Sequence, residues 1–326
     1  MKKRYNELDL MKGIGIILVY LGHSFNLNGL KNLSLFSYIH STIYSFHMPL
    51  FFLISGFLLS NVKIISGGGW TYYYNKIKRL LIPYFFINLV DFIPRTLFPS
   101  LVNSKFGGIK EVLFYGTKIS WFIYALFIIF MIFPILEKYI LNKDKYYLFG
   151  LFLFFINYFK VFNNIEIFSL NSVIEYIFYF YIGYNIHLVH NIEIKKLKKN
   201  NMLFLVLSII FFCFSYKYYS VNFFTESLFA LLGILIVFYI SQKVRKEGIV
   251  YKLLKFYGIN SLTFYLIEGF ITVIYRVILF RIISIEKAGL FVTIFFILRL
   301  ITSFIVIKII VKNSILSFLL GAQKEK

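Results

Sequence analysis

Long apolar stretches separated by short polar segments run the whole length of this chain. A helical stretch of about 17 to 25 mostly apolar residues matches the thickness of a lipid bilayer, and ten such stretches can be placed on the sequence. The pattern therefore predicts an all-α polytopic membrane protein, a bundle of about ten transmembrane helices. The predicted spans cover residues 8–27, 42–60, 80–98, 120–139, 146–161, 172–190, 202–220, 222–242, 259–280 and 289–312.

The composition agrees with the hydropathy pattern. Hydrophobic residues make up 60% of the chain, aromatic residues 21% and charged residues only 15%, whereas a soluble domain has about 25% charged residues. A soluble enzyme, a disordered chain and a nucleic-acid-binding domain are thereby excluded. The segments between the predicted spans have at most roughly 20 residues, too few for a separate soluble domain, so we expect a single domain over residues 1–326.

The net charge of +21 is explained by the way Lys and Arg alternate between loops. The loops on one side, together with both ends of the chain, hold 23 of the 35 cations, and the loops on the other side hold 8. Because Lys and Arg accumulate in cytoplasmic loops, both termini are predicted to be cytoplasmic. A partner for this charge is then the anionic surface of the lipid bilayer, and no nucleic acid is expected.

The first predicted span carries a polar stripe. At about 100° per residue, Lys12 and His23 point within about 20° of each other, and Asp9 lies within about 40° of His23. Ile16 and Val19 separate the two cationic positions, which are roughly 16 Å apart along the axis. Asp9 and Lys12 could simply form an i,i+3 ion pair, and His23 could hydrogen-bond a neighbouring helix. For His23 we favour a functional role, because ionisable residues inside a membrane usually serve a pathway or a reaction.

The second predicted span contains another histidine, His47, near its start. The predicted topology places His47 at the outer level of the membrane, where His23 also lies, so that the two could form a metal pair or a catalytic pair. No third ligand has useful spacing, and Cys213 is the only cysteine. We therefore predict no metal site and no intrachain disulfide.

These residues resemble the integral membrane acyltransferase 3 family, the O-acetylases that modify surface polysaccharides. The family's opening pattern is a Leu-Asp pair, a basic residue followed by Gly, and a His eleven positions after the basic residue. It is met by Leu8, Asp9, Lys12, Gly13 and His23. The second-helix pattern is met by residues 47–57 (HMPLFFLISGF), and partial matches are found at 79–83 (RLLIP), 121–122 (WF) and 260–266 (NSLTFYL).

The resemblance implies an enzyme of the bacterial cell membrane that takes an acyl group from acyl-CoA, acetyl-CoA above all, and bears no bound cofactor. The acceptor would be a hydroxyl of a surface glycan or of a lipid-linked sugar. His23 would act as general base or receive the acyl group transiently, and Lys12 and Arg79 would bind the donor. Possible supporting residues are Asp9, Ser24, His47, Ser55 and Trp121.

The chain departs from the family pattern at two positions. Lys12 replaces the commoner Arg and lacks its bidentate fork. Glu268 stands where many members have His, so a role of that histidine cannot be transferred. Glu268 and Arg299 both fall near the middle of adjacent predicted spans, and we expect them to neutralise each other.

The residues alone leave a second class of function open. In a transporter or flippase for a glycan or a lipid, the same charges would line a translocation path and no covalent chemistry would occur. Release of CoA thiol from acetyl-CoA by the purified protein would separate the two classes.

Overall fold

A computed structural model describes residues 5–25, 34–60, 69–97, 108, 110–115, 120–139, 146–162, 165, 167–190, 201–218, 220–282 and 288–324. Every regular element in these ranges is helical. Short π-helical segments at Ile77–Leu81 and Glu111–Tyr115 and a 3-10 turn at Ile167–Ser169 connect some of the α-helices. The α-helices are α1 (Asn6–Ser24), α2 (Ser34–Tyr44), α3 (His47–Ser60), α4 (Gly69–Lys76), α5 (Ile82–Leu97), α6 (Trp121–Tyr139), α7 (Tyr146–Tyr158), α8 (Leu170–His190), α9 (Asn201–Tyr218), α10 (Phe223–Lys243), α11 (Ile249–Ile259), α12 (Ser261–Ile282), α13 (Ala288–Lys312) and α14 (Ser314–Leu320).

Several of these helices are suited to a membrane. By length and apolar composition, five helical stretches of the described chain can cross one: Ser34–Leu59, Trp121–Lys138, Phe223–Lys243, Ser261–Leu279 and Ala288–Lys312. The other predicted spans coincide with the shorter or more polar helices α1, α5, α7, α8 and α9. The all-α membrane character is thus confirmed, whereas the number of ten spans and the cytoplasmic termini stay predictions.

The second predicted span begins earlier than its apolar run indicated. Residues 42–60 were expected, but the helical stretch starts at Ser34, with a short turn between α2 and α3. The polar residues of α2 lower the local hydropathy, yet they pack against α9, where Thr42 Oγ1 lies 3.2 Å from Ser215 Oγ and Tyr38 contacts the ring of Tyr216. His47 lies inside this helical stretch, as it does inside the predicted span, and it is buried.

The predicted cytoplasmic loop 243–258 contains a helix that packs tightly on α1. A Cβ atom at Gly13 would clash with the carbonyl oxygen of Leu254, and one at Gly258 would clash with that of Asp9. The two glycines therefore let the backbones of α1 and α11 approach closely, as small residues do between helices in membranes. The sequence predicted a loop here because the segment is rich in Lys and Arg. The helix was not predicted, since close packing through glycines leaves no signal in the hydropathy pattern.

Glycines also bring α3 and α8 together. A Cβ at Gly56 would meet the carbonyl of Phe180, and one at Gly183 would meet the carbonyl of Leu53. Helix α1 is surrounded by other helices of the bundle: it contacts α2, α3, α10, α11, α12 and α13. The polar stripe of α1 therefore lies in the interior of the described bundle.

Candidate active site

A cavity of about 320 Å³ extends along α1, and its wall includes the part of the predicted stripe from Lys12 to Val19. Lys12, Ile16 and Val19 line it in the order in which the helical period places them. The opposite wall comes from α12, with Leu262 and Tyr265. The part of the predicted face between Lys12 and Val19 therefore borders an open space, whereas Asp9 and His23 do not line it.

Three cations lie at one end of this cavity: Lys12, Lys76 and Arg79. Lys12 Nζ is 2.7 Å from Asp9 Oδ1, and the carboxylate of Asp9 also acts electrostatically on Arg79. Lys76 Nζ lies 3.2 Å from the centroid of the Phe130 ring, a distance at which a cation is attracted to the aromatic face. With Asp9 as the nearby acid, this end of the cavity carries an excess of positive charge.

His23 and Glu268 lie about one helical turn beyond the cavity wall, on α1 and α12. Val19 lines the wall one helical turn before His23, and Tyr265 lines it about one turn before Glu268. His23 Nδ1 is 3.0 Å from Glu268 Oε2. Because a carboxylate accepts hydrogen bonds, Nδ1–H is the donor, and Nε2 of a neutral imidazole then carries the lone pair. The His23 side chain keeps 32% of its surface accessible, against 8% for Glu268.

Glu268 is held from its other side by Arg299. The guanidinium, which is fully buried, forms an ion pair with the carboxylate, and Thr272 Oγ1 donates to Glu268 Oε1 at 2.8 Å. Arg299 also donates to the Tyr20 carbonyl at 3.2 Å and to Ser24 Oγ at 3.0 Å. The predicted pairing of Glu268 with Arg299 is confirmed, but the same carboxylate also orients His23, which the sequence did not indicate.

The two predicted supporting serines, Ser24 and Ser55, use their hydroxyl protons within their own helices. Ser24 donates to the Tyr20 carbonyl at 2.8 Å and accepts from Arg299, so it fixes α1 against α13. Ser55 lines the cavity and donates to the Phe51 carbonyl at 2.7 Å. Ser55 can therefore offer a ligand only its oxygen lone pairs.

His47 and His23 both contact the ring of Tyr44. The centroid of that ring lies 4.7 Å from the ring of His47 and 6.4 Å from that of His23, and it stacks on His40 at 3.9 Å. His47 Nδ1 donates to the carbonyl of Ile43 at 3.0 Å. Within the described residues, no group of three or more His, Cys, Asp or Glu side chains could hold a metal ion.

Trp121 opens α6 behind the cavity wall. Its ring lies 6.3 Å from that of Phe122, which lines the cavity, and 5.6 Å from that of Tyr176. The structure therefore places Trp121 in the aromatic packing next to the cavity, and its predicted supporting role stays a prediction, as do the roles of the other site residues.

Sequence reasoning missed the contact between His23 and Glu268 and the position of Tyr44. The signal for Glu268 was present, since a carboxylate in the middle of an apolar span needs a partner. Which two side chains meet this carboxylate depends on how α1, α12 and α13 are arranged. Tyr44 gave no signal, because tyrosines are abundant in this chain.

Comparison with known proteins matches most of the chain to one family. A family model described as an acyltransferase domain, that of the acyltransferase 3 family, matches residues 5–308. No curated protein and no solved structure matches the chain.

Proposed function

The chain belongs to the acyltransferase 3 family, and from this premise we propose that it is an O-acyltransferase of the bacterial cell membrane. It takes an acyl group, acetyl in the first place, from acyl-CoA on the cytoplasmic side. It delivers this group to a hydroxyl of a surface glycan or of a lipid-linked sugar on the outer side. The membrane acyltransferase activity follows from the family; the donor, the acceptor and the residue roles are the proposal.

One observation carries the proposal: three cations line the cavity along α1, and His23, oriented by Glu268, lies one helical turn beyond Val19 of the cavity wall. By the predicted topology, Lys12, Lys76 and Arg79 lie at the cytoplasmic end, where the phosphates of CoA arrive. Lys is a point charge suited to phosphate, and Arg adds a bidentate fork. The apolar wall along Ile16 and Val19 fits the uncharged arm of the coenzyme, which carries the thioester toward His23.

His23 then has the geometry of a general base. Nε2 accepts the proton of the acceptor hydroxyl while the hydroxyl oxygen forms a bond to the thioester carbonyl carbon. The carbon–sulfur bond breaks, and the sulfur of CoA takes the proton from the imidazolium. Glu268 does not contact the reacting atoms: it is a positioning residue that keeps Nδ1 protonated and stabilises the imidazolium charge, as a carboxylate does for other catalytic histidines.

The same histidine could instead receive the acyl group before it reaches the acceptor. In that case Nε2 attacks the thioester, CoA leaves, and the acyl group is then transferred from nitrogen to the hydroxyl. A burst of CoA release in the absence of any acceptor, equal to the amount of protein, indicates this route. Release that depends on the acceptor from the first turnover indicates the direct route.

Three variants test the division of roles. His23→Ala is expected to lower turnover by about 10²-fold to 10⁴-fold, the usual effect of losing a general base, while acetyl-CoA still binds. Lys12→Ala is expected chiefly to weaken donor binding, and Lys12→Arg to retain activity. Lys252→Ala, an exposed cation of α11 outside the cavity, is the matched control.

The measurements are CoA thiol release and acetyl-CoA binding by purified protein in lipid nanodiscs. Full turnover in His23→Ala would remove the mechanism. An equal loss of CoA binding in His23→Ala and Lys12→Ala would show that the roles are wrongly divided. No CoA release by the wild-type protein with any acceptor would favour the transporter class.

A further inference from the structure

A second cavity, of about 240 Å³, lies at the end of the bundle that holds His23. Its walls come from the α2–α3 turn, the end of α7 and the first turns of α8 and α10. Neither Lys12 nor Arg79 lines it. It is therefore separate from the cationic cavity and is not explained by donor binding.

The polar groups of this cavity are mainly acidic. Glu175 of α8 and Glu226 of α10 contribute two carboxylates, and Lys160 contributes one ammonium group. Asn157 also lines the cavity, and its amide donates to the carbonyls of Leu153 and Ile174 at 2.9 Å each, which fixes the corner between α7 and α8. Two acidic groups beside one ammonium group disfavour an anion, and their oxygens accept hydrogen bonds from hydroxyl groups.

The remaining walls are aromatic and firmly supported. Tyr176 lines the cavity and stacks on Phe52, with ring centroids 4.6 Å apart and ring planes at 10°. Tyr179 and Phe223 also line it, with ring centroids 6.3 Å apart. Flat aromatic walls beside hydrogen-bond acceptors suit a ligand that has an apolar face and a polar edge, which is the character of a sugar ring.

The size of the cavity limits its occupant. Pockets for drug-sized ligands begin at about 300 Å³, and this cavity is smaller. It has room for one ring of a glycan and not for a coenzyme. A single neutral pyranose satisfies the size, the aromatic walls and the acidic charge together.

The cavity is connected to the candidate catalytic residue through Tyr44. This side chain lines the cavity, and its ring centroid lies 6.4 Å from that of His23. The absence of a side chain at Gly22 brings Tyr44 close to α1, since a Cβ there would lie 3.0 Å from Tyr44 Cε2. Tyr44 therefore separates His23 from the second cavity, while Val19, one helical turn before His23, lines the first.

We infer that the second cavity binds the acceptor as one neutral sugar ring and presents its hydroxyl to His23 past Tyr44. The inference rests on the proposed function and adds a substrate class to it: a neutral sugar, with anionic sugars rejected by Glu175 and Glu226.

The kinetic test compares two acceptors that share one ring, methyl β-glucoside and methyl β-glucuronide, which differ in net charge. We expect the wild-type protein to transfer acetyl to the glucoside with a kcat/KM at least about 10-fold above that for the glucuronide. In the double variant Glu175→Gln, Glu226→Gln this preference should fall by about 10-fold or more, because the acidic groups that disfavour the negatively charged glucuronide have been removed. The KM for acetyl-CoA should stay unchanged, and Glu247→Gln, an exposed carboxylate of the turn after α10, should match wild type. Equal use of both sugars by wild type, or an unchanged preference in the double variant, overturns the inference.

A binding measurement decides the assignment without turnover. The chain has two tryptophans, and Trp121 lies 5.6 Å from Tyr176 of the cavity wall. In a Trp70→Phe background, where the removed side chain is 81% exposed, Trp121 is the single reporter. We expect a saturable change in its emission with methyl β-glucoside and a half-saturating concentration at least about 10-fold higher after the two Glu→Gln changes. No saturable change overturns the sugar assignment, whereas a saturable change without any CoA release leaves it standing and removes the proposed function.

Discussion

The Glu268–Arg299 pair offers the sharpest test of how this bundle is held together. Arg299 is fully buried and the Glu268 side chain is 8% exposed, so each neutralises a charge that water cannot reach. Removing one partner of a buried ion pair costs about 3 to 5 kcal/mol, because the other charge is left uncompensated. Insertion scales give about 2.5 to 3.5 kcal/mol for such a charge at mid-membrane.

The perturbation is a double-mutant cycle with apolar residues of similar size. Glu268→Leu and Arg299→Met are each expected to lower the free energy of unfolding by about 3 kcal/mol, roughly two orders of magnitude in the folding equilibrium. The double variant removes both charges, and replacing a buried pair by well-packed apolar residues is often neutral or stabilising. We therefore expect its stability to return close to that of wild type.

Activity should not return with stability. In the double variant His23 has lost the carboxylate that accepts its Nδ1–H at 3.0 Å. The orientation of the imidazole, the protonation of Nδ1 and the stabilisation of the imidazolium all depend on that contact. The expected result is a stable protein with normal acetyl-CoA binding and a kcat lowered by about 10²-fold or more. This split separates positioning of His23 from a purely structural role.

The assay is SDS unfolding in mixed micelles followed by circular dichroism, together with CoA release in nanodiscs. Arg245→Met and Glu247→Leu, exposed charges of the turn after α10, form the control cycle and should each change stability by less than about 0.5 kcal/mol. Losses from the two site variants that add within about 0.5 kcal/mol would refute the buried pair. Full turnover in the double variant would refute the role of Glu268.

Two further predictions concern topology and packing. Reporter fusions after Lys326 and in the 61–79 loop should give cytoplasmic signals and fusions in the 99–119 loop the opposite, because Lys and Arg mark the cytoplasmic side; an external C-terminus would mean that the spans are miscounted. Gly13→Ala should destabilise the protein by about 1 to 3 kcal/mol in SDS unfolding, because it forces a Cβ onto the backbone of α11. Gly289→Ala is the control and should be neutral, since a Cβ there meets no atom within 4 Å. Equal stability of the two variants would contradict the close approach of α1 and α11.

The sequence determined the class of structure and one face of one helix. Runs of bilayer length predict helices because a backbone in lipid must satisfy its own hydrogen bonds. The period of 100° per residue brought Lys12 and His23 onto one stripe, and the structure has a cavity along the part of that stripe from Lys12 to Val19. The positions of Glu268 and Arg299 in the middle of apolar spans predicted that the two form an ion pair, because each charge needs neutralisation in an apolar surrounding.

Only the tertiary structure decided which groups meet across helices. The contact between His23 and Glu268 joins residues of α1 and α12, and Tyr44 joins both histidines to a second cavity. Helices in a bundle can rotate and exchange neighbours without changing their hydropathy, so the sequence leaves these pairings undetermined. The backbone contacts at Gly13 and Gly258 settle one of them, because van der Waals packing between helices, and not the pattern of apolar residues, selects neighbours inside a membrane.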